Sequence, residues 1–334
     1  MLLLIALTLP PLQASHAGSD TPTPESESAG PAIESESIRT EDGYRLPYQS
    51  WGPTENPKAV VLALHGLNDY SGGMAYAAQA LAEHEIAVYA YDQRGFGAND
   101  DAGLWPGEET LIHDAASVLK LLAKRYPDTP RYLMGHSMGG AIALILMTRQ
   151  KPPTVTGTAL LAPAVWGRKA MPWYQRGLLW LTARLLPGLQ LSSEVAGVAP
   201  TDDPEILENM RTDPLIRREV RADTLAGVTD LMDRALAATS ELESRVIILY
   251  GEQDEVIPPE PTCLMLRRLP QDPANPRRLV LYPQGYHMLT RDQQRERVHA
   301  DLAAWFLDPD RDRLPSGLET SRTQVLSELC TSER

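Results

Sequence analysis

Cysteine is nearly absent from this chain. Cys263 and Cys330 are the two in 334 residues, and they stand in neither zinc nor redox spacing, so no disulfide framework and no metal site can be read from them. Their state stays open between a bridge, if the chain is exported, and two free thiols. Positive charge is also scarce: 31 Lys and Arg face 44 Asp and Glu, for a formal net charge of −13. No stripe of basic residues stands out, which argues against a phosphate-backbone partner and so against nucleic acid. The apolar run at residues 2–9 is too short to span a bilayer as a helix. Apolar residues are plentiful, at 43%, enough for a large core in one main domain with an inserted lobe.

The run at 2–9 is followed by Pro10-Pro11 and by small residues through Ala17. That pattern gives the expectation of a signal peptide over 1–17 and of export to the periplasm or beyond; the alternative is an unstructured start on a cytoplasmic protein. Residues 18–37 are rich in Ser, Pro, Glu, Gly and Thr, and so read as a solvated linker. The folded body is expected over 38–309. It opens with a hairpin turning at Asp42-Gly43, followed by continuous apolar strands at 59–66 and 86–92. Further strands are expected at 131–135, 156–164, 245–251 and 277–283, with helices at 74–84, 109–125, 138–148 and 291–307. Strands alternating with helices predict an α/β fold, a mostly parallel sheet covered on both faces. Between 163 and 244 helical segments occur without a convincing strand, so a helical lid over about 164–240 is expected between the sixth and seventh strands. Residues 310–334 turn polar and read as a loosely attached tail.

One short stretch carries the chemistry. Gly135-His136-Ser137-Met138-Gly139 matches G-x-S-x-G directly after a predicted strand and before a predicted helix. A side chain at either flanking position would strike the neighbouring strand or helix, so the glycines expose a serine on a strained turn. A serine hydroxyl is a poor nucleophile until a base, held by an acid, takes its proton. The chain order for such an elbow is serine, acid, histidine.

Two loops after predicted strands supply the partners: 250–259 presents Asp254 and 282–290 presents His287. Glu252 and Glu255 compete with Asp254, which is preferred because it precedes the turn "VIPP". Among other histidines, His16 lies in the leader, His84, His113 and His299 lie on helices, and His136 is expected to point away from Ser137. The oxyanion formed during attack needs fixed N–H donors. The amides of Met138 and of Leu67, in the loop after the first apolar strand, are the candidates, with His65 as a structural hydrogen bonder. No metal or organic cofactor is implied.

The segments "LALHGLNDYSGG", "YAYDQRGFGAND", "YLMGHSMGGAIAL", "LLAPAV", "ILYGEQDEVIPP" and "YHMLT" together resemble the α/β-hydrolase superfamily, and within it the monoacylglycerol lipase and lysophospholipase-like group. Similar proteins carry Glu-His where this chain has Asp69-Tyr70, and the HGGG form of another lipase branch is missing. The resemblance implies a serine hydrolase acting through Ser137, His287 and Asp254 on a small lipid ester. It also implies that residues 92–97 form a structural turn rather than a phosphate loop. A short-chain carboxylesterase or peptidase on soluble substrates is the alternative, and a catalytically silent binding protein is the rival from outside enzymology. The segment 171–188, with Trp173, Leu178, Trp180, Leu181 and Leu185, suits a lid helix that touches a membrane surface transiently, or one that packs onto the body.

Overall fold

The computed structural model describes residues 30–168, 171, 173–192, 198–272 and 277–330. The expected signal peptide and most of the expected linker lie outside these residues. The last part of that linker is folded: β1 (Ala32–Ile33) pairs antiparallel with β2 (Ser37–Arg39), and the Glu34 carboxylate binds the guanidinium groups of Arg39 and Arg45. Ile38 is fully buried and Ile33 packs against the same core, but the strand pairing is too short, and the stretch too polar, for composition to show it. β2 then turns at Asp42-Gly43, with Gly43 at φ +81°, into β3 (Arg45–Trp51).

The alternating α/β pattern begins at β4 (Ala59–Leu64), whose six residues are all buried. It continues through α1 (Ala75–Ala82), β5 (Ile86–Tyr91), α2 (Glu108–Arg125), β6 (Arg131–His136), α3 (Met138–Met147) and β7 (Gly157–Leu161). Every residue of α3 is buried, as an apolar helix without a polar face must be.

Next comes the expected insertion, with α4 (Trp173–Leu185), β8 (Gln190–Ser192), α5 (Pro204–Thr212), β9 (Glu219–Arg221) and α6 (Ala222–Ala238). It differs from the sequence reading in two ways. β8 and β9 form a small antiparallel ribbon where no strand was expected, because three-residue strands pairing only with each other leave no periodic signal. α6 is part of the body, with Leu231 and Ala235 fully buried in the core that also holds α3. α4, by contrast, buries none of its side chains.

The chain closes with β10 (Val246–Gly251), α7 (Pro259–Arg268), β11 (Arg277–Tyr282), α8 (Arg295–Leu307), β12 (Glu319–Thr320) and α9 (Arg322–Glu328). The tail expected to be loose is anchored. β12 pairs antiparallel with β11, Arg322 donates to the carbonyls of Leu269 and Arg267, and Cys263 and Cys330 form a disulfide. Fixation by a crosslink and by side chain to backbone bonds does not show as an apolar run.

The sheet runs β1-β2-β3-β5-β4-β6-β7-β10-β11-β12 and is parallel from β5 to β11. α1 and α8 bury Leu81, Val298, Trp305 and Phe306 on one face. α2, α3 and α6 cover the other. Because the six central strands share a direction, the loops at 65–73, 92–107, 252–258 and 283–294, and the β6–α3 turn, gather at one rim.

Candidate active site

Ser137 sits at the turn between β6 and α3 with φ +52° and ψ −115°, a strained backbone for a residue with a Cβ. The elbow is held from both sides. Ser137 N–H donates to the Leu161 carbonyl at 3.0 Å, and its carbonyl accepts from Ala164 at 2.9 Å. A Cβ on Gly135 would overlap the Gly139 carbonyl, and one on Gly139 would overlap the Leu64 carbonyl. Glycine here is a steric necessity. The amino end of α3, which begins with Met138, lies directly after the hydroxyl-bearing residue, and the first amides of a helix have no partner within it.

The loop after β4 comes close to this turn. A Cβ on Gly66 would stand 3.3 Å from Ser137 Cβ, so glycine lets the backbone that carries Leu67 come within reach of the serine. His65 fixes the loop from beneath. Gln93 N–H donates to its Nε2 at 3.0 Å, which places the proton on Nδ1, bonded to the Gly66 carbonyl at 2.8 Å. Burial pushes the His65 imidazole below its ordinary pKa, so it serves as a neutral strut. Gln93 belongs to the 92–97 turn, itself tied by Asn99 Nδ2 to the carbonyls of Asp92, Gln93 and Phe96. That turn supports the loop after β4 through the bonds between Gln93 and His65.

Asp254 and His287 meet. His287 Nδ1 lies 2.9 Å from Asp254 Oδ2, and both residues are buried. The other carboxylate oxygen accepts from the amides of Val256 and Ile257, each at 2.9 Å, so the carboxylate has one orientation. Glu252 and Glu255 are exposed. The two loops touch backbone to backbone: Gln253 N–H donates to the Gly285 carbonyl at 2.9 Å, and a Cβ on Gly251 would overlap that same carbonyl.

His136 has a part that the sequence did not suggest. Its ring reaches the His287 loop, with Nε2 3.0 Å from the His287 carbonyl and ring centroids 4.9 Å apart. Burial, with the His287 ring nearby, pushes its pKa down, so the neutral ring donates its Nε2–H to that carbonyl. It thereby ties the residue beside Ser137 to the loop that carries the candidate base. Of the remaining histidines, exposed His84 lies in the turn after α1 rather than on the helix expected, His113 is exposed on α2, and buried His299 bonds the Thr290 carbonyl; His16 lies outside the described residues.

Sequence reasoning also missed an ion pair between Asp69 and Arg291, both buried. Arg291 lines a cavity of about 490 Å³ bounded by Tyr70, Tyr76, Ile206, Met210 and Asp213. Among the described residues, no group of three or more His, Cys, Asp or Glu side chains is arranged to hold a metal ion, and no helix is long and apolar enough to cross a membrane.

A mostly parallel sheet with helices on both faces and a G-x-S-x-G turn at its rim defines the chain as an α/β-hydrolase. The family model described as serine aminopeptidase, S33, matches residues 55–294, and the chain belongs to that family. Its relatives include the monoacylglycerol lipase of Mycolicibacterium smegmatis, 26% identical over 79% of this chain and 94% of that one. The human monoglyceride lipase is 27% identical over 75% of this chain and 82% of its own length. The crystal structure of the Paleococcus ferrophilus monoacylglycerol lipase superposes with a TM-score of 0.67 at 22% identity, covering 79% of this chain and 99% of that one.

Proposed function

We propose that this protein hydrolyses carboxylic esters of monoacylglycerol or lysophospholipid type through Ser137, His287 and Asp254. The observation that carries the reading is the 2.9 Å bond between His287 and Asp254, buried on two loops at the rim where the strained Ser137 turn stands. The names of the relatives support the lipid ester class.

Ser137 Oγ attacks the ester carbonyl as His287 Nε2 takes its proton, and Asp254 holds Nδ1–H and stabilises the imidazolium. The amides of Leu67 and Met138 receive the oxyanion, each such donor contributing about 3 kcal/mol to the transition state. His287 returns the proton to the departing alkoxide and the alcohol leaves. A water, deprotonated by His287, then attacks the acyl-enzyme and releases the carboxylic acid.

α4 is the lid element in this reading. Trp173 is 78% exposed, and Leu178, Trp180 and Leu185 are each more than 60% exposed, an apolar surface suited to a lipid interface with tryptophan at its boundary. Export is proposed as well. The Cys263–Cys330 disulfide supports it, because such bonds persist in oxidising compartments.

The test is a rate profile on p-nitrophenyl esters of increasing chain length, set beside 1-monoacylglycerol and lysophosphatidylcholine. Rising kcat/KM from acetyl to medium or long chains, with turnover of at least one lipid ester, is expected. A sharp preference for acetyl with no lipid turnover would contradict the reading.

A further inference from the structure

We propose that Asp69 and Arg291 form a positioning pair that sets the oxyanion loop against the loop of the candidate base. The inference rests on the hydrolase reading above and adds to it two residues without a role in the chemical steps. Asp69 follows Leu67 by two positions, and Arg291 follows His287 by four, so their contact joins the two loops that must hold donor and base in register. Their side chains are 7% and 5% exposed, which removes the solvent screening that makes most surface pairs weak.

Both partners are built in. Asp69 Oδ1 accepts the Tyr70 amide at 3.0 Å, and a Cβ on Gly73 would overlap the carboxylate, so glycine at 73 leaves the space that the carboxylate occupies. On the other side, Arg291 N–H donates to the Met288 carbonyl at 2.7 Å, and the Arg291 carbonyl accepts from Thr201 Oγ1 at 3.0 Å.

The insertion is bonded to the same two loops. Met288 N–H donates to the Pro200 carbonyl at 2.8 Å, and Arg217 N–H to the Asn68 carbonyl at 3.2 Å; Tyr70 Oη donates to Asp213 Oδ2 at 2.8 Å. Residues 200–217 are therefore tied to both loops, and the ion pair joins the two loops directly. A misplacement of about 1 Å between reacting groups can cost on the order of 100-fold in rate, which is the scale on which such a tie acts.

Removing one partner leaves a buried unpaired charge and can unfold the chain. The test therefore compares Asp69→Asn, Arg291→Lys and the double variant Asp69→Leu/Arg291→Met, which leaves no lone charge. The control is Glu319→Gln, which breaks the Arg278 pair at the sheet edge. Each is measured well below its own Tm for kcat and KM on a p-nitrophenyl ester, and for the rate of fluorophosphonate labelling of Ser137.

The expected result is a loss of about 10- to 100-fold in kcat and in labelling rate with KM within about threefold. The double variant should melt near the wild type and stay slow, Arg291→Lys should recover part of the rate, and the control should lose Tm alone. Full kcat in the folded double variant, or a change confined to KM, would overturn the proposal. If the unaltered protein turned over no ester, the substrate assignment would fall, while the labelling rates would still decide the role of the pair.

Discussion

Asp254 and His287, 33 positions apart in the chain, stand 2.9 Å apart on two neighbouring loops. The carboxylate is already committed on its other oxygen to the amides of Val256 and Ile257. It therefore cannot turn, and it presents one acceptor to one ring nitrogen.

Replacing Asp254 with Asn should accordingly leave the loop nearly intact and stop the chemistry. The amide can offer its NH₂ to Nδ1, which moves the imidazole proton to Nε2, the wrong tautomer for a base. A fall of about 10⁴-fold in kcat is expected, with circular dichroism unchanged; a loss below tenfold would remove Asp254 from the proposed role.

Ser137→Gly should abolish ester hydrolysis and raise stability. The serine holds φ +52°, a conformation that costs a non-glycine residue about 1–3 kcal/mol, part of which glycine gives back as chain entropy. A net gain near 1 kcal/mol corresponds to a Tm higher by about 2–4 °C. Ser137→Ala keeps the strain, so the comparison is between these two inactive variants. Equal melting temperatures would show that the turn stores no strain.

Asp292 is fully buried, and burial raises its carboxyl to about 6 although the amides of Tyr286 and Gln294 favour the charged form. The folded state then binds more protons than the unfolded chain between about pH 4 and 6, so this group adds stability at the acid end that is lost as pH rises through 6. The effect amounts to roughly 2–3 kcal/mol over the window. Stability measured by denaturant at pH 4, 5, 6 and 7 should move in favour of the wild type relative to Asp292→Asn as pH falls; a constant difference would contradict the assignment.

The disulfide closes a span of 67 residues that contains β11, the His287 loop and α8. In the chain-entropy treatment a loop of that size is worth about 4 kcal/mol. Cys263→Ser/Cys330→Ser should lower the denaturation midpoint accordingly, and hydrogen exchange should quicken first in β12 and α9. Unchanged exchange there would mean that the side chain to backbone bonds of Arg322 suffice.

Much of this fold is legible in the sequence because the central strands are buried on both faces: "AVVLAL" and "IAVYAY" are apolar throughout, and all twelve residues are buried. The elbow is legible for a steric reason, since Gly135 and Gly139 admit no side chain. Other features are set by contacts that no local pattern encodes. Asp69 and Arg291 are 222 positions apart, and each looks like any surface charge until the loops close. The ribbon of β8 and β9, the start of the body at Ala32 and the anchored C-terminal segment likewise depend on short pairings or on the crosslink. His136 likewise carries no local sign that its ring reaches the His287 carbonyl, 151 positions further along the chain.

The most direct measurement is the reaction of the folded protein with a fluorophosphonate, followed by peptide mapping. A single covalent adduct on Ser137 is expected, formed quickly by the wild type and far more slowly after His287→Ala. An adduct on another serine, none at all, or labelling of Ser137 indifferent to the loss of His287 would contradict it.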